Sequence, residues 1–312
     1  MISEEPLVSI LMNCYNGERY LRDSLDSIIN QSYENWELIF WDNQSKDQSK
    51  DIFFQYSDDR FKYFYAPVHT DLGNARANAY KHLSGDFIAF LDSDDLWTPD
   101  KLNEQLKLFS DPEVGIVISD TIFFDNSSQR VLFNKNYPPE GYVFKNLLNN
   151  YFVSLETLIL RKSTVEKLEY SFDPEFSFIA DFDLVIRAAR ISKLVICKKV
   201  LAKWRVHEDS DSWKSMISFP LEKERWIEKQ ILLDKKFFLA NKKSFSIFRN
   251  RNYLIMSIYY LALNKRLLGI KSLLHGNLLD SKIIFVFIMC LLPFSNYLIK
   301  FLLKVRMKRL LG

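Results

Sequence analysis

Three carboxylates, Asp92, Asp94 and Asp95, fall within four residues directly after the apolar segment Phe87–Leu91. Packed together without compensation, they would repel one another, cost on the order of several kcal/mol, and raise the pKa of at least one of them. A divalent cation removes that cost, and oxygen ligands of this kind suit Mg²⁺ or Mn²⁺, with substrate phosphates completing the shell. The simpler alternative, a carboxylate that caps the next turn, needs one acid and not three. Phosphatases and receiver domains also use such clusters, so the neighbouring residues have to decide.

Two other polar clusters follow apolar runs in the same way. They are Asn13 to Asn16 after Leu7–Met12, and Asp42-Asn43 after Trp36–Trp41. Short apolar runs that alternate with amphipathic segments predict a doubly wound sheet of buried parallel strands. Ligands of such sheets sit at the carboxyl ends of the strands. The three clusters are therefore expected to meet at one edge of one sheet.

The segments between these runs supply the elements that position the clusters. Asn16 can cap a helix, and the apolar positions of that helix fall on one face: Leu21, Leu25, Ile28 and Ile29. Further helices are expected at 47–56, at 74–83, from Trp97-Thr98-Pro99 onward and at 181–191, and further strands at 61–65, 114–119, 157–161 and 201–206. From about residue 217 the pattern is helical to the end.

Four motifs occur in a fixed order: Val8–Gly17, Phe40–Asp47, Gly73–Ala79 and Gly85–Asp95. In order and spacing they resemble the GT-A-fold family 2 glycosyltransferases, over roughly residues 6 to 210. The resemblance implies an α/β fold with a Rossmann-like, mostly parallel sheet flanked by helices and a C-terminal helical extension. It also implies a GT-A catalytic domain at 1–215, with a nucleotide-binding half at 6–120 and an acceptor-side half at 121–215, and a helical, basic and apolar region at 216–312.

The resemblance assigns roles to the residues at the strand ends. Tyr15 stands where the family places an aromatic beside the nucleotide base, and a π-face can stack a base with about 1–3 kcal/mol. Asp42 matches the first residue of a pair that holds the base or ribose, Asn43 occupies the second position, and which of them reads the base stays open. Arg76 matches a basic residue near the diphosphate. The complete donor-site prediction comprises nucleotide contacts from Asn13, Tyr15, Asn16, Asp42, Asn43, Arg76, Asp92 and Ser93, and metal ligands Asp94, Asp95 and His207 for Mn²⁺ or Mg²⁺.

The family's catalytic base lies in a Glu-Asp pair at the start of a later helix, which the segment Ile179–Arg187 matches. Ala180 replaces the Glu, whereas Asp181 remains and is expected to take the proton of the acceptor hydroxyl. The structural alternative for Asp181 is a helix cap or dipole partner. His207, in a segment that resembles the family's aromatic-Arg-x-His, is either a ligand of the metal or diphosphate or a structural residue. The Gln-x-x-Arg-Trp segment of processive members is not evident, which favours transfer of a single sugar.

Charge divides the chain unevenly. The whole chain carries +3, but residues 221–312 hold 18 Lys/Arg and 5 Asp/Glu, a net of +13, which leaves −10 for residues 1–220. The apolar and basic residues at the end are Ile283–Leu292, then Pro293, then Lys304, Arg306, Lys308 and Arg309. This pattern predicts an interfacial segment with a polybasic end that contacts an anionic membrane surface. The alternative is a helical lid packed on the catalytic domain.

The expected function is that of an inverting, metal-dependent glycosyltransferase. Its donor is a nucleoside-diphosphate sugar, taken to be UDP-linked, and its acceptor a glycan or lipid-linked molecule of surface polysaccharide biosynthesis. One rival is a nucleotide-sugar-binding protein that has lost catalysis, as Ala180 hints. The other is a nucleotidyltransferase, which needs a Gly- and Lys-rich phosphate loop that the turn Asn13–Gly17 lacks.

Composition narrows the partners and the compartment. The acidic first half has no continuous basic stripe, so nucleic acid is not an expected partner. The cysteines, Cys14, Cys197 and Cys290, are scattered, and the chain opens without an apolar h-region. These features predict a cytoplasmic protein that is peripheral at the inner face of the cell membrane.

Overall fold

The computed structural model describes residues 5–207, 216–292, 296–297 and 299–300. The chain divides into two compact units. The first comprises Met1–Leu147 and Tyr151–Val206, and the second comprises Leu148–Asn150 and His207–Gly312. Pro293 of the predicted interfacial segment and the whole polybasic end lie outside the described ranges. The residues of that end are Lys304, Arg306, Lys308 and Arg309.

Within the described residues, the first unit is built on one nine-stranded sheet. Its strands are β1 (Val8–Cys14), β2 (Trp36–Asp42), β3 (Phe61–Tyr65), β4 (Phe87–Phe90), β5 (Leu96–Trp97), β6 (Val114–Phe124), β7 (Gln129–Val131), β8 (Ile159–Arg161) and β9 (Lys193–Arg205). Its helices are α1 (Glu18–Ile29), α2 (Ser49–Phe53), α3 (Leu72–Tyr80), α4 (Lys101–Leu106), α5 (Phe144–Asn149), α6 (Lys162–Val165) and α7 (Ala180–Ala188), and the last two residues of α5 belong to the second unit.

The sheet order is β3-β2-β1-β4-β8-β6-β9-β5, with β7 paired to β6. From β3 to β4 the neighbouring strands run parallel, in a register that sets Cys14 opposite Asp42 and Leu11 opposite Phe90. The carboxyl ends of β1, β2 and β4 therefore meet at one edge, as predicted. In the other half of the sheet, β8 runs antiparallel to β4, and β5 runs antiparallel to β9. Trp97, which was expected to begin a helix, belongs to β5. A pattern of apolar runs does not specify strand direction, because direction depends on the connections.

Burial explains why these segments form these elements. Every position of β1 and β2 is buried, which is typical of strands covered on both faces of a sheet. Helix α1 buries Leu21, Leu25 and Ile28, whereas Ile29, predicted on the same face, is 37% exposed. Successive helical residues point about 100° apart, so Ile29 turns away from the core that Ile28 enters.

The prediction that Asn16 caps α1 is wrong. Gly17 occupies the N-cap position, and the N–H of Glu18, the first residue of the helix, donates instead to Asp47 Oδ2 at 2.9 Å. Asn16 has a left-handed backbone conformation, with φ of 54°, and its Oδ1 accepts a hydrogen bond of 2.8 Å from the N–H of Lys46. The N–H of Gly17 donates to Ser49 Oγ at 2.9 Å. Asn16 therefore ties the loop after β1 to the loop after β2.

The second unit is helical in its described residues. Its helices are α8 (Ser218–Leu233), α9 (Lys235–Ala240), α10 (Lys242–Ala262), α11 (Arg266–Leu274) and α12 (Ser281–Leu291). Helices α10, α11 and α12 share a small core that includes Leu261, Leu273, Ile283 and Cys290. Among the described helices, none combines the length and hydropathy needed to cross a membrane.

Candidate active site

The acidic turn after β4 has one buried and two partly exposed carboxylates. Asp92 and Asp94 are partly exposed, whereas Asp95 is 2% exposed. The Oδ1 of Asp95 accepts a hydrogen bond of 2.8 Å from the N–H of Arg205, and its carbonyl accepts one of 2.8 Å from Ser24 Oγ. Asp95 is thus built into the wall of the site, and Asp92 and Asp94 are the carboxylates within reach of a ligand.

Arg205, at the end of β9, holds this turn in place. Its Nε donates to the carbonyl of Asp94 at 2.9 Å, and its guanidinium pairs with Asp23 at 2.9 Å and lies over the ring of Tyr20. The aromatic-Arg-x-His segment therefore contributes to the acidic turn through its arginine. His207 follows in the second unit and is the last residue described before 208–215, so its role as a metal ligand stays a prediction.

Negative charge accumulates in the turn. Asp92 is partly exposed, but the loss of water around its carboxylate raises its pKa; the guanidinium of Arg76 opposes that rise, and the carboxylates of Asp94 and Asp181 add to it. Burial also raises the pKa of Asp95 well above its ordinary value, and Asp94 and the buried Glu156 reinforce the effect. Carboxylates that repel one another in this way are relieved by a bound cation.

The turn fits a cation that is held partly by its substrate. In the described part of the chain, no group of three or more His, Cys, Asp or Glu side chains is arranged to bind a metal alone. Mg²⁺ and Mn²⁺ commonly bind through one or two carboxylates together with substrate phosphates. Asp94, which is partly exposed beside two carboxylates of raised pKa, has the donor chemistry for that arrangement.

Arg76 is the positive charge beside the acidic turn. It lies on α3, is 4% exposed, and its Nη2 is 3.2 Å from Asp92 Oδ1. The start of α3 is fixed by Asp71, whose side chain accepts from the N–H of Asn74 at 3.0 Å, and by Gly73, whose absent Cβ would lie 2.1 Å from the carbonyl oxygen of Phe176. A larger residue at Gly73 would therefore force α3, which carries Arg76, or the backbone at Phe176 to shift.

An aromatic surface lies at the end of β1. The ring of Tyr15, 48% exposed, is 4.2 Å from the ring of His69, and His69 Nδ1 is 2.8 Å from the carbonyl oxygen of Asn43. Nearby along β1, Asn13 is 9% exposed, and neither atom of its amide has a hydrogen-bond partner within the described residues. Buried polar atoms are nearly always satisfied, so an amide of this kind indicates a position for a ligand or water.

The two residues that end β2 are bonded within the protein. Asp42 is fully buried, and its carboxylate accepts from the hydroxyl of Tyr63 at 2.5 Å and from the N–H of Ser45 at 2.7 Å. The amide of Asn43 donates to the carbonyl of Thr70 at 2.7 Å. Both residues shape the edge at which Tyr15 and His69 lie, and a direct contact of either with a base stays a prediction.

Asp181 lies in the first turn of α7, close enough to the acidic turn for its charge to raise the pKa of Asp92. It is partly exposed, and its Oδ2 accepts a hydrogen bond of 3.0 Å from the hydroxyl of Tyr151. The other acid of the segment, Asp183, is fully buried and pairs with Arg187 at 2.6 Å. Only Asp181 of these two is therefore placed to exchange a proton with a ligand.

The structure brings together most of the predicted residues and adds several. Around the ends of β1, β2 and β4 it gathers Asn13, Tyr15, Asp42, Asn43, Arg76, Asp92, Ser93, Asp94, Asp95 and Asp181, with Asn16 in the adjoining loop. Sequence reasoning missed His69, Tyr151, Glu156 and Arg205. Only Arg205 had a signal, because it lies inside a segment that resembles a family motif.

Residues 9–167 match the family described as glycosyl transferase family 2. Over 209 residues the chain is 28% identical to the UDP-Glc:alpha-D-GlcNAc-diphosphoundecaprenol beta-1,3-glucosyltransferase WfgD of Escherichia coli, covering 67% of this chain and 81% of WfgD. It is 30% identical over 172 residues to the putative teichuronic acid biosynthesis glycosyltransferase TuaG of Bacillus subtilis (strain 168), covering 54% of this chain and 68% of TuaG.

Solved structures share the fold. S. aureus TarS 1-349 in complex with UDP-GlcNAc matches with a TM-score of 0.58 at 16% identity, covering 91% of this chain and 90% of that chain. A longer TarS chain matches with a TM-score of 0.65 at 19% identity, and there the match covers 85% of this chain and spans 48% of that chain. The mannosyltransferase PcManGT from Pyrobaculum calidifontis, in complex with GDP-Man and Mn²⁺, matches with a TM-score of 0.62 at 17% identity. This match covers 90% of this chain and 79% of that chain. The predicted GT-A architecture is confirmed.

Proposed function

The chain belongs to glycosyl transferase family 2, and from that premise we propose that it moves one sugar, with inversion, from a UDP-linked donor to a glycan or lipid-linked acceptor in surface polysaccharide biosynthesis. The transferase class follows from the family and from the relatives WfgD and TuaG. Family membership also disfavours the nucleotidyltransferase alternative. The donor class is supported by the UDP-glucose in the name of WfgD and by the UDP-GlcNAc complex of TarS. The acceptor class is supported by the diphosphoundecaprenol in the name of WfgD and by the teichuronic acid in that of TuaG.

One observation supports the reaction most strongly: Arg76, Asp92 and Asp181 meet at the carboxyl edge of the parallel strands. The Arg76 guanidinium lies 3.2 Å from Asp92, and Asp181 is near enough to act on the charge of Asp92. A direct displacement at an anomeric carbon requires two groups. One is a positive charge that offsets the charge of the diphosphate, here Arg76, and the other is a carboxylate that accepts the hydroxyl proton, here Asp181.

The proposed step is a single displacement. Asp181 takes the proton of the acceptor hydroxyl while the hydroxyl oxygen forms a bond to the anomeric carbon of the sugar. The bond from that carbon to the diphosphate oxygen breaks, and the nucleoside diphosphate leaves with the electron pair. Arg76 offsets part of the charge that the leaving group gains. Attack from the face opposite the leaving group inverts the anomeric centre.

A divalent cation, when bound, neutralises the leaving diphosphate. Asp94 would hold it with oxygens of the donor, and Asp95 sits behind Asp94 to fix the turn. The complex of PcManGT with Mn²⁺ supports a cation in this fold. This step requires neither Asp95 nor His207 as a ligand, and their assignment to the metal stays a prediction from the sequence.

The donor class can be tested by thermal unfolding of the full chain with a set of nucleotide sugars and Mn²⁺. A ligand present at 100 times its Kd stabilises a protein by about 2.7 kcal/mol, which raises the melting temperature by roughly several degrees. We expect UDP and a UDP-sugar to raise it with Mn²⁺, and to raise it less with EDTA. Equal shifts from UDP, GDP and CDP compounds would contradict a UDP-linked donor.

The proposal also includes an anionic lipid surface as the partner of the second unit. Helix α12 buries Ile283 and Cys290 in the core of the second unit. Its Phe285 and Leu291 are 65% and 61% exposed, and Leu279 in the preceding turn is 89% exposed. The last part of the chain carries the net charge of +13 given above. Apolar side chains that face outward on a basic helical unit suit a bilayer interface of negative charge. An enzyme so placed would meet a lipid-linked acceptor at the inner face of the cell membrane.

Sedimentation of the full chain with vesicles at low salt tests this partner. We expect binding to vesicles that contain phosphatidylglycerol, little binding to pure phosphatidylcholine, and loss of binding as salt is raised. Phe285→Glu and Leu279→Glu should each weaken binding by roughly tenfold or more, since burying one large apolar side chain is worth about 1.5–3 kcal/mol. Phe54→Glu replaces an exposed aromatic side chain of the first unit and is the control, which should bind these vesicles as the wild type does. Failure to bind anionic vesicles would contradict the proposal.

A further inference from the structure

Tyr151 contacts the proposed base, Asp181, through its hydroxyl, and the next residue, Phe182, through its ring. It lies between α5 and the Leu155–Thr157 turn, and its hydroxyl donates to Asp181 Oδ2 at 3.0 Å. Its ring packs edge-on against Phe182, with centroids 5.1 Å apart. One aromatic side chain therefore contacts two consecutive residues in the first turn of α7.

We propose that Tyr151 is a positioning residue for Asp181, and this inference rests on the proposed function. Its hydrogen bond occupies one carboxylate oxygen of Asp181 and fixes the rotamer, so that the other oxygen is presented to the acceptor hydroxyl. A base must lie within hydrogen-bond reach of the proton that it removes, and a displacement of about 1 Å can cost 100-fold in rate.

The surroundings suit a permanent donor at this position. Burial raises the pKa of Tyr151 well above its ordinary value, and the charge and hydrogen bond of Asp181 reinforce the effect. The phenol therefore keeps its proton at neutral pH. Its neighbour in the turn, Ala180, is fully buried and offers no polar side-chain atom. Within the described residues, Tyr151 donates the side-chain hydrogen bond that the Asp181 carboxylate accepts.

The rest of the helix start is fixed independently of Tyr151. Asp183 is held by Arg187, whose guanidinium also donates to the carbonyls of Tyr170 and Ser171 at 2.5 Å each. Removing only the hydroxyl of Tyr151 should therefore leave α7 in place and release only the Asp181 carboxylate. This separation makes Tyr151→Phe an informative variant, because the ring that contacts Phe182 is retained.

The test compares initial rates of sugar transfer by the full chain with Mn²⁺ and the UDP-sugar selected by thermal shift. For Tyr151→Phe we expect kcat to fall about 10- to 100-fold, as is typical of groups that orient a reacting side chain, with the donor KM within about twofold of wild type. Tyr80→Phe alters another partly buried tyrosine, whose ring packs on Phe172, and should leave both values unchanged. In an Asp181→Asn background, Tyr151→Phe should cause no further loss, since a residue that acts through another is non-additive with it.

Each other outcome overturns the assignment. Wild-type kcat in Tyr151→Phe, or a loss that adds fully to that of Asp181→Asn, would show that Tyr151 does not act through Asp181. Loss of donor binding together with turnover would make Tyr151 a structural residue only, and donor titration on the same preparation detects this. If wild-type turnover is independent of Asp181, the proposed function fails instead, and that result is recognised without Tyr151.

Discussion

Replacing Asp181 by Asn is expected to lower kcat by about 10²- to 10⁴-fold while the protein still binds its donor. General-base catalysis contributes a factor of this size, and an amide cannot take the proton of the acceptor hydroxyl. Asparagine has nearly the same shape and keeps an oxygen that can accept from Tyr151, so the turn should be undisturbed. Rates and donor affinity measured on one preparation distinguish a lost base from a damaged site.

Asp51→Asn is the matched control for this change. Asp51 is an exposed acid in the first turn of α2, so the same chemical substitution is made at another helix start. We expect its kcat and donor affinity to equal those of wild type. Turnover retained by Asp181→Asn would exclude Asp181 as the base. A wild-type chain that binds the donor but transfers no sugar to any acceptor would instead favour the catalytically impaired binding protein that Ala180 first suggested.

Asp94→Asn is expected to weaken Mn²⁺-dependent donor binding by about 10- to 100-fold and to lower transfer by at least that factor. A metal held by few carboxylates depends on each of them, and the cation contributes several kcal/mol, in order of magnitude, to stabilising a leaving diphosphate. Asp95 is not an equivalent target, because it is buried and bonded to the N–H of Arg205, so its loss would also disturb the turn.

The comparison that isolates the metal is made with and without EDTA. In EDTA, Asp94→Asn and wild type should bind UDP with the same low affinity, because the carboxylate then has no cation to hold. With Mn²⁺ the wild type should gain affinity and the variant should not. A variant that gains as much affinity from Mn²⁺ as the wild type would refute the assignment of Asp94 as a ligand.

The general position of the site could be predicted from the sequence because strand ends impose it. Apolar runs identified β1, β2 and β4, and the carboxyl ends of parallel strands necessarily share an edge. That rule placed Asn13, Asp42 and Asp92 in one neighbourhood, and the resemblance to the family added Arg76 and Asp181. The mixed half of the sheet was not predictable, because β5 and β8 are strands of two and three residues, too short for a pattern of apolar residues to identify them.

Individual contacts were beyond the sequence for a different reason. An asparagine or aspartate after a strand is equally suited to bind a ligand or to form a hydrogen bond with a neighbouring loop. Asn16 accepts a hydrogen bond from Lys46 in the loop after β2. Tyr151 reaches Asp181 across 30 residues of chain, a pairing that only the folded arrangement creates. Glu156 is buried near the acidic turn, although glutamate is seldom found in a protein interior, so its sequence position did not indicate this location.

The most direct measurement is the anomeric configuration of the product, read from the ¹H NMR coupling of the new glycosidic bond while the full chain turns over an α-linked UDP-sugar with Mn²⁺. Direct attack with Asp181 as the base predicts a β-linked product from the first turnover, and almost no product with Asp181→Asn. An α-linked product would mean two displacements through a covalent or separated intermediate, and would contradict the assignment of Asp181 as the base of a single inverting step.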